Sequence, residues 1–168
     1  GSHMVSNALA AAAVGLVEGV RIDDVVAGLA EARLSPWRME VLEGSSGFTV
    51  VNDAYNANPE SMRAALAALA ALPGSGRRIA VLGVMAELGD GGPEAHREAL
   101  LYAEEAGIEV LAVGTDLYGP IGLDGIDAAL AALVNRSPGP GDAVLVKGSR
   151  VAGLEAVVEG LTGKPARA

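Results

Sequence analysis

Cysteine is absent from the 168 residues, which excludes disulfides and thiolate metal sites and is compatible with a reducing compartment. Aromatic residues are nearly as scarce at 3%, while hydrophobic residues reach 51%. The core must therefore be built from Ala, Val and Leu, which suits helices packed closely on a sheet. Positive charge is in deficit: 12 Lys and Arg against 21 Asp and Glu give a formal net charge of -9. That argues against nucleic acid as a partner, because binding its backbone needs Lys and Arg to displace counterions, but a local site can still hold a nucleotide. No apolar run approaches the roughly 20 residues of a membrane span. With no signal-peptide pattern at the start either, a cytoplasmic protein without a membrane partner is expected.

Phosphate-binding glycine loops are missing too. Nothing matches G-x-x-x-x-G-K-[ST], and no G-x-G-x-x-G follows a strand. Gly160-Leu161-Thr162-Gly163-Lys164 ends a helix near the terminus and does not qualify. An enzyme that consumes a nucleoside triphosphate would need its phosphate site elsewhere. No Ser/His/Asp or metal-ligand constellation is apparent, so no catalytic residue and no metal ligand is assigned in this stretch.

What is present is a polar run, Asn52-Asp53-Ala54-Tyr55-Asn56-Ala57-Asn58-Pro59-Glu60-Ser61-Met62, set between two strongly patterned apolar segments. Before it, Gly47 to Val51 is β-branched and aromatic and reads as a strand ending at Asn52. After it, Pro59 cannot continue a strand, and Ala64, Leu66, Ala67, Leu69 and Ala70 recur at helical spacing. The run is thus a strand-to-helix loop, and in open α/β sheets such loops are where ligands bind.

The remaining chain falls into order around it. Gly1-Ser2-His3-Met4 reads as an expression-tag remnant. Ser6-Asn7 predicts an N-cap for an alanine-rich helix to about Glu18, and a second helix spans Ile22 to Arg33 until Ser35-Pro36 stops it. Residues 5–35 have no strand of their own and read as a piece of a neighbouring domain. Arg38 to Glu43, the Gly44-Ser45-Ser46-Gly47 turn and Phe48 to Val51 form a hairpin. Helix Glu60 to Leu72 follows, then strand Arg78 to Gly83, a loop over Val84 to Pro93 and helix Glu94 to Ala106. Strand Glu109 to Gly114, helix Ile126 to Val134, strand Ala143 to Val146 and a helix from Val151 to Leu161 complete a domain of residues 36–163. Residues 164–168 are a loose polar tail. Four strand-loop-helix repeats after a hairpin predict a doubly wound, mainly parallel, Rossmann-like α/β sheet. Right-handed crossovers then put all four strand-end loops on one rim. A chain of this length buries roughly 70% of its unfolded surface.

Each polar residue on that rim has a bland alternative. Asp53 suits the two hydroxyls of a ribose, the N-terminal cap of the following helix or the bracing of its own loop, and Asn56 and Asn58 are ordinary turn residues by default. Lys147-Gly148-Ser149-Arg150, two cations, a glycine and a hydroxyl at a helix start, reads as an anion site or as a solvated turn. Arg38 beside the sole tryptophan is a stacked structural arginine or a phosphate ligand. Glu87 and Asp90 read as solvent-facing or capping, and His96 as a surface residue.

The wording NDAYNANPESM at Asn52 to Met62 resembles the Mur ligase family, and within it the branch that adds D-alanyl-D-alanine to UDP-N-acetylmuramoyl-tripeptide. Trp37 to Leu42 (WRMEVL), Val81 to Gly89 (VLGVMAELG), Val144 to Arg150 (VLVKGSR) and Ser6 to Ala12 (SNALAAA) fall in the family's order. Val84 departs from it, since members often carry an acidic residue there. The resemblance implies a carboxyl-terminal ligase domain with the last helices of a central ATPase domain, the two missing domains as partners, and a monomer. ATP and Mg²⁺ would serve the whole enzyme, with neither held tightly by this fragment. It also implies nucleotide contacts from Asn7, Arg38, Asp53, Tyr55 and Asn56, and substrate contacts from Asn58, Lys147, Ser149 and Arg150. A free-standing α/β nucleotide- or anion-binding module, or a structural interaction domain, would carry the same pattern without chemistry.

Overall fold

A computed structural model describes residues 5–32 and 37–165. The tag reading of residues 1–4, the Ser35-Pro36 helix stop and the last three residues of the tail lie outside them. The chain divides into two compact units, residues 1–35 and 36–168.

The first unit holds helices α1 (Val5–Val17) and α2 (Ile22–Glu31). Helix α1 has already begun at Val5, so Ser6 and Asn7 lie within its span and not ahead of it as expected. Gly15 lets the helices approach: a Cβ there would stand 3.2 Å from Val25. Val25 is buried, whereas Leu9, Val14, Val17 and Val26 are exposed.

The second unit is a six-stranded sheet in the order β1-β2-β6-β3-β4-β5. Its strands are β1 (Glu40–Glu43), β2 (Thr49–Asp53), β3 (Arg78–Leu82), β4 (Glu109–Val113), β5 (Gly122–Leu123) and β6 (Ala143–Lys147). Strand β1 pairs antiparallel with β2, which is the expected hairpin, and all other pairings are parallel. The helices are α3 (Pro59–Ala70), α4 (Gly92–Glu105), α5 (Ile126–Arg136) and α6 (Glu155–Thr162). Side-chain alternation along the strands sorts two cores. Val51, Ala80, Leu82, Ala112 and Leu145 pack under α3 and α4, and Val50, Ile79, Val81, Leu111, Val144 and Val146 under α5 and α6. Covering on both faces explains why β3 and β6 read as unbroken apolar runs.

Two details differ from expectation. Strand β5 has only two residues, too few to show a period. The final helix is broken, because Gly153 at φ 62° separates a 3-10 turn at Arg150–Ala152 from α6. Only a residue without Cβ takes that left-handed conformation at little cost.

At the amino ends of the strands, Asp142 ties the start of β3 to the turn before β6. Its carboxylate accepts from the Arg77 amide at 2.7 Å, the Arg77 guanidinium at 2.7 Å and the Gly139 amide at 3.0 Å. The Arg77 hydrogen bond chiefly holds its pKa down to about 2 against the effect of burial. A depressed carboxylate contributes stability that is fully present above its unfolded pKa of about 3.9 and is lost as pH falls through the folded value. We therefore expect the urea midpoint to fall between about pH 4 and 2, and more shallowly in Asp142→Asn. Equal slopes in both proteins would refute this. Because Arg77 is half exposed, added salt should weaken the effect.

Candidate functional site

The polar run occupies the carboxyl end of β2, beside the corresponding ends of β6 and β3. Strand register sets Asp53 directly beside Lys147, and Lys147 beside Leu82. Neighbours in register share a face, so the Lys147 ammonium reaches Asp53 Oδ2 at 2.5 Å and donates to the Asn56 carbonyl at 2.9 Å. The Lys147 side chain is 1% exposed and that of Asp53 13%. Asp53 Oδ1 accepts from the Met39 amide at 3.0 Å, which fastens the segment before β1 to the same loop. Two of about four lone-pair positions on the carboxylate are thereby used.

Other residues set the shape of the loop. Buried Asn52 donates to Glu40 Oε2 at 3.2 Å and accepts from the Ala54 amide at 3.3 Å, starting the turn. Asn56 Oδ1 accepts from the Ala57 amide. Asn58 caps α3: its Oδ1 accepts from the Ser61 amide at 2.8 Å and its own amide donates to Ser61 Oγ, with Pro59 as first helical residue. This reciprocal cap satisfies amides that the first turn of a helix leaves unpaired.

Ser149 locks the loops after β2, β3 and β6 together. Its buried Oγ accepts from the Ala86 amide at 2.9 Å and donates to the Ala57 carbonyl at 3.3 Å, and its amide donates to Val84 O. Beneath the β3 loop lies His96, fully buried. The Met85 amide donates to His96 Nε2 at 2.8 Å, so the ring proton sits on Nδ1 and is given to Gly92 O at 2.6 Å. The ring meets Tyr118 edge-on at 4.8 Å, and the Tyr118 hydroxyl donates to Gly83 O at 3.0 Å. Burial pushes the Tyr118 phenol well above its ordinary pKa, so it remains a donor.

Above this scaffold lies a cluster of cations and rings. The Arg38 guanidinium lies 4.3 Å from the centre of the Tyr55 ring, and that of Arg150 lies 4.9 Å from Trp37 and 5.8 Å from Tyr55. Trp37 and Met39 hold positive φ angles of 64° and 51°. Side chains rarely tolerate these values unless neighbouring contacts impose them. Here the Tyr55 amide donates to Trp37 O and the Met39 amide to Asp53.

The structure thus brings Arg38, Asp53, Tyr55, Asn56, Asn58 and Arg150 to one rim. Two expectations change. Lys147 and Ser149, expected to face an incoming dipeptide, are buried and bonded to the loops, the lysine through its register beside Asp53 and the serine through its bonds to Ala86 and Ala57. Of the Lys147-Gly148-Ser149-Arg150 segment only Arg150 is open. His96 is likewise a core residue and not a surface one. Ala99 and Ala103, three and seven positions on, share its buried helical face, and that spacing is the signal that would have found it. Arg38 stacks on Tyr55, the outcome its position beside Trp37 did not resolve. Asn7 lies exposed on α1 in the other unit.

Residues 37–150 match the family model described as "Mur ligase, glutamate ligase domain". The chain belongs to the Mur ligase family. It is 41% identical to the UDP-N-acetylmuramoyl-tripeptide--D-alanyl-D-alanine ligase of Mycobacterium bovis, over 96% of this chain and 38% of that protein. Among solved structures, MurF from Acinetobacter baumannii matches with a TM-score of 0.83 and 31% identity over 98% of this chain and 38% of its own. MurF ligase from Thermotoga maritima, solved in complex with ADP, matches with a TM-score of 0.65 and 27% identity over 88% of this chain and 35% of its own. The chain thus spans little more than a third of these relatives.

The rim's chemistry can be tested against the groups that a Mur ligase uses. Asp53 retains lone pairs for sugar hydroxyls, and Arg38 and Arg150 supply guanidinium donors for phosphate or carboxylate oxygens, so a nucleotide edge fits. Among the described residues no group of three acidic, His or Cys side chains is placed to hold a metal ion.

Proposed function

We propose that this chain is the carboxyl-terminal part of an ATP-dependent ligase that adds D-alanyl-D-alanine to UDP-N-acetylmuramoyl-tripeptide, in cytoplasmic peptidoglycan precursor synthesis. The observation that carries this reading is the 41% identity to a ligase of that activity across 96% of the chain. In the reaction, ATP phosphorylates the tripeptide's terminal carboxylate. The dipeptide amine attacks the acyl carbon, and the tetrahedral intermediate expels phosphate as the amide forms. Phosphoryl transfer belongs to the central ATPase portion. This domain's share is to cover the nucleotide and hold the amine close to the acyl carbon, which converts an encounter into an intramolecular step.

Within that share, Asp53 accepts the ribose hydroxyls and Arg38 meets phosphate oxygens. Arg150 meets the dipeptide carboxylate, and Tyr55, Asn56 and Asn58 form the rim. Lys147 and Ser149 act indirectly, by fixing Asp53 and the loop backbones. The exposed Leu9, Val14, Val17 and Val26 suit helices that pack against the central portion. The working enzyme is expected to be a monomer.

Mass spectrometry checks the reading. Given ATP, D-alanyl-D-alanine and UDP-N-acetylmuramoyl-tripeptide, the enzyme that includes the central domain should form the amide, and the 168-residue chain should form none and bind ATP weakly. Robust turnover by the 168-residue chain would overturn the proposal. Tight anion binding without dipeptide-dependent turnover in the longer protein would point to a binding module instead.

A further inference from the structure

Two guanidiniums from opposite ends of the sheet unit share one aromatic platform. Arg38 enters before β1 and Arg150 leaves after β6, yet both lie against the ring of Tyr55, and Arg150 also against Trp37. The chain carries 21 acidic residues, but among the described residues none forms an ion pair with either guanidinium. That arrangement has a chemical consequence. A guanidinium stacked on a ring is held by its face, which leaves its in-plane N-H fork for a bidentate oxyanion. Trp37 contributes only its face, since its buried indole N-H has no partner among the described residues. The platform is also fixed in advance: the strained Trp37 and Met39 backbones are pinned to Tyr55 and Asp53, so the rings need no reordering when an anion arrives.

We infer that Tyr55 is a positioning residue that holds Arg38 and Arg150 as one receptor for the anionic oxygens of nucleotide and dipeptide, phosphate on one guanidinium and carboxylate on the other. The identity of those anions rests on the ligase reading; the platform itself does not. Removing the ring should weaken both anions together, whereas losing one arginine weakens chiefly its own.

Trp37 is the sole tryptophan, so its emission reports directly on Arg150. Inorganic pyrophosphate titrated into the 168-residue chain at constant ionic strength should change that emission saturably. Tyr55→Phe, which keeps the ring, should titrate like the wild type. Tyr55→Leu should need about tenfold more pyrophosphate, because two cation–π contacts are lost. Tyr55 is 37% exposed, so neither substitution opens the core. A Tyr55→Leu titration that superimposes on wild type, or emission that ignores pyrophosphate, would overturn the inference. Neither outcome depends on ligation. A longer enzyme that forms no amide while the titrations follow expectation would sink the ligase reading and leave the platform standing.

Discussion

Lys147→Met is expected to destabilise the sheet unit by about 3–5 kcal/mol, the range found when one partner of a buried ion pair is removed. The substitution keeps the length and apolar stem of the side chain, so little cavity forms. What is lost is the ammonium that answers both Asp53 Oδ2 and the Asn56 carbonyl. Asp53 is then a nearly buried carboxylate with only the Met39 amide to stabilise its charge. Urea unfolding measures the loss, and combining Lys147→Met with Asp53→Leu should recover part of it, since no orphaned charge remains. A single variant within about 1 kcal/mol of wild type would mean that the pair is solvated and that the rim loop does not depend on it.

Gly76→Ala should be equally damaging, for a steric reason. A Cβ at Gly76 would stand 2.0 Å from the Gly141 carbonyl oxygen and 2.2 Å from its carbon, with the Asp142 amide at 2.6 Å. These are backbone atoms, and they cannot turn aside as a side chain does. Ordinary overpacking costs about 1–3 kcal/mol, and here we expect the top of that range or more. The starts of β3 and β6 must part, which also breaks the bonds from Arg77 to Asp142. Gly91→Ala is the matched control, because a Cβ there meets nothing within 4 Å and its φ of -77° suits any residue. Thermal unfolding should separate the two clearly, and similar midpoints would refute the close approach.

Features carried by short-range pattern were legible in the sequence. The hairpin, four strand-loop-helix repeats and the polar loop follow from side-chain period, turn residues and Pro59. Strand order was not, because β6 inserts between β2 and β3 and nothing local announces it. The pairing of Asp53 with Lys147, 94 residues away, exists only through that insertion. Without it, Lys147-Gly148-Ser149-Arg150 looks like an outward anion site. With it, the lysine and serine turn inward and Arg150 alone faces out. The same blindness to long-range neighbours concealed the Ser149 lock and the bonds by which His96 and Tyr118 support the β3 loop.

The rim around Asn52 to Asn58 is proposed to be half of a substrate site and not merely a braced connection. The most direct measurement compares two lost carboxylates, Asp53→Ala at the rim and Asp142→Asn at the opposite end of the strands, each carried by the enzyme that includes the central domain. Both variants are assayed for ATP-dependent amide formation below their unfolding temperatures. Asp53→Ala should lower kcat/KM for ATP by about ten- to a hundredfold, the value of a charge-assisted hydrogen bond, while Asp142→Asn stays within about twofold of wild type. Equal losses in the two variants, or an unchanged kcat/KM in Asp53→Ala, would contradict the claim.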